Sequence, residues 1–249
     1  MSGGSRLRRL RLSRLLWIAL AGAGLLAFTC SGRRAVRRGA RWLDARVEGF
    51  SEPDSRGYAR FVAPLLRRLY ERVTDDVATD VAARDGSAGC ARELAILDLG
   101  CGPGDLAAIL AARLPGARVI GLDLSPSMVE LARRRETADG RLRFEVGDAA
   151  CLPLESGSID LAVSTLSLHH WPEPAAAFSE MHRVLRPGGA AFVYDLCLLT
   201  LEVDALPEIA RRAGLAEGEL RRERLSGGLL AGLFVRFHVD LRPAATGGR

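Results

Sequence analysis

The stretch ILDLGCGPGDL, residues 96–106, limits what this chain can fold into more than any other. An apolar run reaches an acid, Asp98. Three glycines in five positions follow, Gly100, Gly102 and Gly104, then a second acid, Asp105, and more apolar residues. A short continuous apolar run suits a strand buried on both faces of a parallel sheet. Glycines directly after it let the backbone turn sharply and let a ligand sit against bare main chain. The stretch reads as a strand, a ligand-holding loop and the start of a helix.

The pattern continues in alternation. LAILDL (94–99) is the first strand, and Leu106, Ile109, Leu110 and Leu114 line the helix after it. ARVIGLDL carries a second strand ending at Asp123. Ser125 and Pro126 then supply an N-cap and a proline at the first helical position, with Met128, Leu131 and Ala132 lining that helix. LRFEVGD and IDLAVSTLSL are third and fourth strands, and PAAAFSEMHRVLR is a helix stopped by Pro187, Gly188 and Gly189. AAFVYDL is a fifth strand, followed by a helix around 202–213 and two β-prone runs near 219–225 and 233–241. This order predicts an α/β fold, Rossmann-like and doubly wound. Its mostly parallel sheet has seven strands with an antiparallel C-terminal strand, and a hydrophobic, helical N-terminal extension precedes it.

The loop residues discriminate between ligands. A dinucleotide-binding turn reads G-x-G-x-x-G, its third glycine allowing close helix–strand packing beside a pyrophosphate. Here that third position is Asp105, which weakens a nicotinamide oxidoreductase on both sterics and charge. Asp98 suits a ligand amine, Asp123 can accept two ribose hydroxyls, and Asp148 can accept from an exocyclic adenine amine. Adenine, ribose and an amine without a phosphate describe S-adenosylmethionine.

Four blocks, LDLGCGPG, GLDLSPSMVELAR, GDAACLPLESGSIDLAVSTLSLHHW and HRVLRPGG, stand in register across residues 94–196. In these the chain resembles the class I SAM-dependent methyltransferases of small-molecule type, in particular the ubiquinone/menaquinone-biosynthesis-like group. The resemblance implies that Asp98, Gly100, Cys101, Gly102 and Gly104 contact the methionyl end of the cofactor. It places Asp123 and Leu124 at the ribose, Met128 over the adenine face, and Asp148 with Ala149 at the adenine edge.

His169 and His170 follow the fourth strand, where an acceptor should lie, and either could serve as a base. The same HHW triplet also resembles a structural block of the family. Tyr194 and Asp195 are further candidates at the end of the fifth strand. The block after the fourth strand, SLHHWPEP, lacks the Asn/Asp-Pro-Pro-aromatic pattern of enzymes that methylate DNA amino groups. A small, apolar or lipid-like acceptor remains. A catalytically silent SAM-binding partner subunit carries the same cofactor residues and stays open.

Composition bears on partners. The chain has 35 basic residues, all Arg, and no Lys, Asn or Gln, as a GC-rich gene would give. Residues 1–50 hold 11 Arg against Asp44 and Glu48, whereas the other 199 residues hold 24 Arg against 28 acids. The basic character therefore belongs to the N-terminal arm, and a mildly acidic remainder argues against a nucleic-acid partner. Cys30, Cys90, Cys101, Cys151 and Cys197 form no C-x-x-C pair, so neither a metal site nor a disulfide framework is expected.

Residues 15–32 carry no charge and would span roughly 27 Å as a helix, just short of a hydrocarbon core. They read as a membrane anchor, a signal peptide, or the product of an over-extended start site. The organisation expected is a basic arm over residues 1–55, with that segment and a linker, and a methyltransferase domain over 56–249. The domain has a core at 94–196 and amphipathic lid helices at 56–84, in which Tyr58, Phe61, Val62, Leu65, Leu66, Leu69, Val73, Val77 and Val81 recur at helical spacing with a break near Pro64. An anchored arm would tether a cytoplasmic catalytic domain to the inner membrane.

Overall fold

The computed structural model describes residues 52–85, 93–196, 208–209, 213, 220–224 and 234–240. Its parallel sheet is built from β1 (Leu94–Leu99), β2 (Ala117–Asp123), β3 (Leu142–Val146), β4 (Ile159–Thr165) and β5 (Leu185–Leu196). The order is β3-β2-β1-β4-β5, so β1 pairs with β2 on one side and β4 on the other. The strand order reverses there, and a crevice opens at the carboxyl ends of β1 and β4, where ligands bind in open α/β sheets. Beyond β5 lies the backbone of β6 (Leu220–Arg224) and β7 (Phe234–Asp240).

The helical segments are α1 (Glu52–Gly57), a π-helical turn (Tyr58–Val62), a 3-10 turn (Ala63–Leu66), α2 (Arg67–Asp85), α3 (Asp105–Arg113), α4 (Pro126–Arg133) and α5 (Pro174–Val184). Alternate side chains of each strand serve opposite faces. Ile96, Val119, Leu161 and Val163 meet Leu69, Val73 and Val77 of α2, Leu106 and Leu110 of α3, and Val129 and Ala132 of α4. Leu97, Ile120, Leu122, Ala162 and Val193 meet Phe178, Met181 and Val184 of α5 on the other face. Each of these large apolar side chains contributes about 1.5–3 kcal/mol when buried.

Four local expectations are refined. The break near Pro64 is a π turn followed by a 3-10 turn, with proline at the start of the latter. Val62, assigned to the apolar stripe, is 36% exposed, and Ala63 is buried. β4 stops at Thr165, three residues early, because Leu166 adopts φ +55 and a 3-10 turn, Leu168–His170, follows. α5 ends at Val184, two residues before the expected end at Arg186 ahead of Pro187. The residue before a proline is pushed out of the helical region, and Leu185 already pairs with Ile159 as the irregular start of β5.

Of the helix expected around 202–213, only Glu208, Ile209 and Ala213 are described. The apolar segment 15–32 and the whole basic arm up to residue 51 lie outside the described residues. Among the described residues no helix is long and apolar enough to cross a membrane.

Candidate functional site

The glycine loop is drawn across the end of β1 by two donors. Gly100 N–H and Cys101 N–H both bond to the Leu122 carbonyl of β2, at 2.7 and 3.0 Å. Gly100, Gly102 and Gly104 have φ of +73, +53 and +82, the left-handed region that disfavours a Cβ. Two of them are also closed in sterically. A Cβ at Gly100 would run into the Ser167 side chain, and one at Gly104 would stand 2.7 Å from Phe144 Cζ. Arg135 staples the loop to α4's following turn: Nε donates to the Pro103 carbonyl at 3.0 Å and Nη2 to Asp105 Oδ1 at 2.7 Å. Asp105, which sits where a dinucleotide site needs glycine, opens α3 and is neutralised by that arginine.

Asp98 lies beneath this loop with no exposed surface, and neither carboxylate oxygen has a well-formed hydrogen bond, the Ala107 N–H giving it a weak one at most. Burial first, then the Asp123 charge, push its carboxyl up to about 7, with the Ala107 N–H pulling weakly the other way. Asp123 is half-buried at the end of β2. Its Oδ2 accepts from Gly102 N–H and its Oδ1 from Ser125 N–H, each at 2.8 Å. Burial raises its carboxyl, while those two bonds and the nearby His170 oppose the rise. Each Asp123 oxygen thus spends one lone pair on holding the loop, and the other remains for a ligand hydroxyl. Ser125 caps α4, its hydroxyl accepting from Met128 N–H at 3.4 Å.

The remaining cofactor candidates divide. Leu124 is 63% exposed on the rim beside Asp123. Asp148 is exposed, with Oδ1 accepting from Ala150 N–H at 2.9 Å, and Ala149 is half-buried. Both are brought near Asp123 by Gly147 N–H, which bonds to the Asp123 carbonyl at 3.0 Å. Met128 is buried in the first turn of α4. Cys101 is buried, and burial pushes its thiol well up, which removes it as a nucleophile.

The two histidines occupy the turn after β4. His169 Nδ1 lies 2.7 Å from Asp195 Oδ1, and His169 N–H donates to Asp195 Oδ2 at 2.9 Å. Asp195 has no exposed surface, while the His169 side chain is 10% exposed. His170 is exposed, its ring 4.0 Å from that of His169 between centroids. Trp171 Nε1–H donates to Ser167 Oγ at 2.9 Å, which seats this turn against Gly100.

Periodicity did not reveal the residues that bring the N-terminal helices against these elements. Ser55 Oγ bonds Ser127 Oγ of α4 at 2.7 Å. Tyr58 and Tyr70 share a side-chain hydrogen bond, Tyr58 near Asp105 and Asp123 and Tyr70 near Asp105 and Asp98. Tyr194 O–H donates to Asp76 Oδ2 of α2 at 2.7 Å, tying β5 to the same helix. Tyrosines inside an apolar stripe look like plain core residues, and only the acids around them betray this placement. Among the described residues no group of three or more His, Cys, Asp and Glu is arranged to hold a metal ion.

The residues fit S-adenosylmethionine. A buried carboxylate without a well-formed hydrogen bond suits its ammonium and sulfonium charges, the glycine cradle suits a close approach to backbone, and half-engaged Asp123 suits ribose hydroxyls.

Residues 97–193 match a family model described as a methyltransferase domain. An uncharacterised 37.1 kDa protein from a Streptomyces fradiae transposon is 42% identical over 166 residues, 65% of this chain and 45% of that protein. The demethylmenaquinone methyltransferase of Thermus thermophilus is 41% identical over 101 residues, 40% of this chain and 46% of the enzyme. The chain thus spans less than half the length of these relatives. A crystal structure of an S-adenosylmethionine-dependent methyltransferase from Mesorhizobium loti superposes with a TM-score of 0.50 at 23% identity, over 59% of this chain and 91% of that one, a likeness of fold. Residues 97–193 are thus similar to a methyltransferase domain, in a fold shared with an S-adenosylmethionine-dependent methyltransferase.

Proposed function

We propose that the protein transfers a methyl group from S-adenosylmethionine to a small, apolar or lipid-like acceptor. The observation that carries this reading is Asp98, fully buried beneath the glycine loop with neither oxygen in a well-formed hydrogen bond. Such a group costs several kcal/mol unless a cation meets it. Asp98 and Gly100–Gly104 hold the methionyl end, with Cys101 supplying backbone only. Asp123 and Leu124 hold the ribose, and Asp148 and Ala149 meet the adenine edge. Met128 supports that face from the core. The cofactor supplies an activated methyl group; the protein orients the acceptor in line with it and excludes water. His169 and His170 face the acceptor.

On this reading residues 56–84 are a lid, 94–196 the core, and the complete sheet is seven-stranded, β3-β2-β1-β4-β5-β7-β6, with β7 the antiparallel member. The Ser55–Ser127 and Tyr194–Asp76 bonds support the lid, and the backbone pairings of β6 and β7 support the sheet. A tether through residues 15–32 rests on sequence alone; release of the full chain from membranes by alkaline carbonate would remove it.

The test is calorimetric titration of the full chain with S-adenosylmethionine, S-adenosylhomocysteine and NADH, beside Asp123→Ala. Binding of both adenosyl ligands in the micromolar range, lost in the variant, is expected. Binding of NADH alone would replace the reading with an oxidoreductase. Binding of the adenosyl ligands without turnover on any acceptor would leave a silent SAM-binding subunit.

A further inference from the structure

We propose that Asp195 and His169 form a carboxylate–imidazole base, and that the acceptor therefore arrives as an un-ionised hydroxyl rather than a carboxylate. The inference rests on the methyl-transfer reading and deepens it.

Asp195 has no exposed surface and directs both oxygens at one residue. Oδ2 takes the His169 backbone N–H and Oδ1 lies against its ring Nδ1. A carboxylate only accepts, so the ring proton sits on Nδ1 and the Nε2 lone pair is left to accept a proton. Nε2 has no hydrogen-bond partner among the described residues. The backbone is bent to make this arrangement. Leu166, without the freedom of glycine, takes φ +55 immediately after β4, and its N–H bonds to the Tyr194 carbonyl at 2.8 Å. Left-handed conformations cost an ordinary residue roughly 1–2 kcal/mol and gather at functional sites. The turn that follows sets Ser167 against Gly100, His169 on Asp195 and His170 near Asp123, so the imidazole stands at the edge of the cofactor loop.

The chemistry selects the acceptor. A carboxylate nucleophile is already ionised and needs no base. It would also bring a negative charge towards a site that already holds Asp98, Asp123 and Asp195. A hydroxyl needs its proton removed as it attacks. The O–H proton passes to Nε2 while an oxygen electron pair forms the O–CH3 bond. The S–CH3 bond breaks with its pair going to sulfur, leaving a neutral thioether, and the imidazolium returns its proton to water. Asp195 acts through His169 as a positioning residue, holding the tautomer and offsetting the imidazolium charge.

The test uses the full chain, S-adenosylmethionine and two probe sets: phenols graded from 4-methoxyphenol to 4-nitrophenol, and trans-aconitate as a carboxylate. His169→Ala and Asp195→Asn are compared with the parent, with cofactor binding by calorimetry as the folding control. Expected is a loss in kcat of roughly 10²–10³-fold on 4-methoxyphenol at little change in KM. The loss should be far smaller on 4-nitrophenol, which ionises unaided. Free imidazole should restore part of the rate of His169→Ala. An equal loss on every phenol, no loss, or methylation of trans-aconitate alone would overturn the base and leave methyl transfer standing. Cofactor binding without methylation of any probe would overturn both.

Discussion

Replacing Asp98 with asparagine should make the cofactor-free protein more stable at alkaline pH while abolishing cofactor binding. Asp98 has no exposed surface and no well-formed hydrogen bond, so its charge is uncompensated in the absence of a ligand. Its carboxyl is raised from 3.8 to about 7. A raised folded-state value means that the stability is fully present below the unfolded value and is lost as the pH rises through the folded one. Across that window the loss is about 4 kcal/mol. The substituted asparagine carries no charge to desolvate but leaves an unpaired amide, worth about 1–3 kcal/mol where it differs from a protonated carboxyl. Asp98→Asn is therefore expected to gain about 1–3 kcal/mol over the parent near pH 8, and to lose about 1–3 kcal/mol near pH 4, where only the amide cost remains. Denaturant unfolding at both pH values, without cofactor, measures this directly. Calorimetry should show the variant blind to S-adenosylmethionine, and the parent's affinity falling about tenfold per pH unit below about 7. A variant less stable than the parent at alkaline pH, or a gain independent of pH, would mean that Asp98 is satisfied by the protein itself, and its role as the cation's partner would fall.

Gly104→Ala places a Cβ at φ +82 against the Phe144 ring, so a loss of about 2–4 kcal/mol is expected by thermal unfolding. Arg183→Ala removes the fork that binds the Leu152 and Leu154 carbonyls at 3.0 and 2.8 Å as well as Glu180, and should cost about 1.5–3 kcal/mol, read by denaturant midpoint. Tyr194→Phe deletes the bond to Asp76 on α2; proteolysis within residues 52–85 should accelerate while the sheet core resists. Ser125→Ala should cost about 1 kcal/mol through the lost cap and leave the Asp123–Gly102 contact in place.

How much of this was legible in the sequence follows from the range of the forces involved. Strands β1 to β3, α3 and α4 were readable because each is set locally, by a continuous apolar run, a left-handed glycine or a Ser-Pro start, and none of these needs a distant partner. The end of β4 was not, because Leu166 looks like another strand residue until the Tyr194 carbonyl takes its N–H from 28 positions further along the chain. The start of β5 was misread for a related reason. Pro187 marks where a helix must already have stopped, and the pairing of Leu185 with Ile159 decides where it does stop. In the site, Asp98 and Asp123 were visible as acids flanking glycines, whereas the Asp195–His169 pairing spans 26 residues and has no sequence signature.

The last two described core residues of β5 join these observations. Tyr194 and Asp195 are neighbours in an extended strand, so their side chains leave opposite faces of the sheet. Tyr194 reaches α2 through Asp76, on the face where Tyr70 approaches the acids under the glycine loop. Asp195 reaches His169 on the other. A single strand end therefore ties down both α2 and the His169 imidazole. Any displacement of β5 must be felt on both sides, because neither tie has slack: one bond is 2.7 Å to the helix, and the other 2.7 Å to the ring.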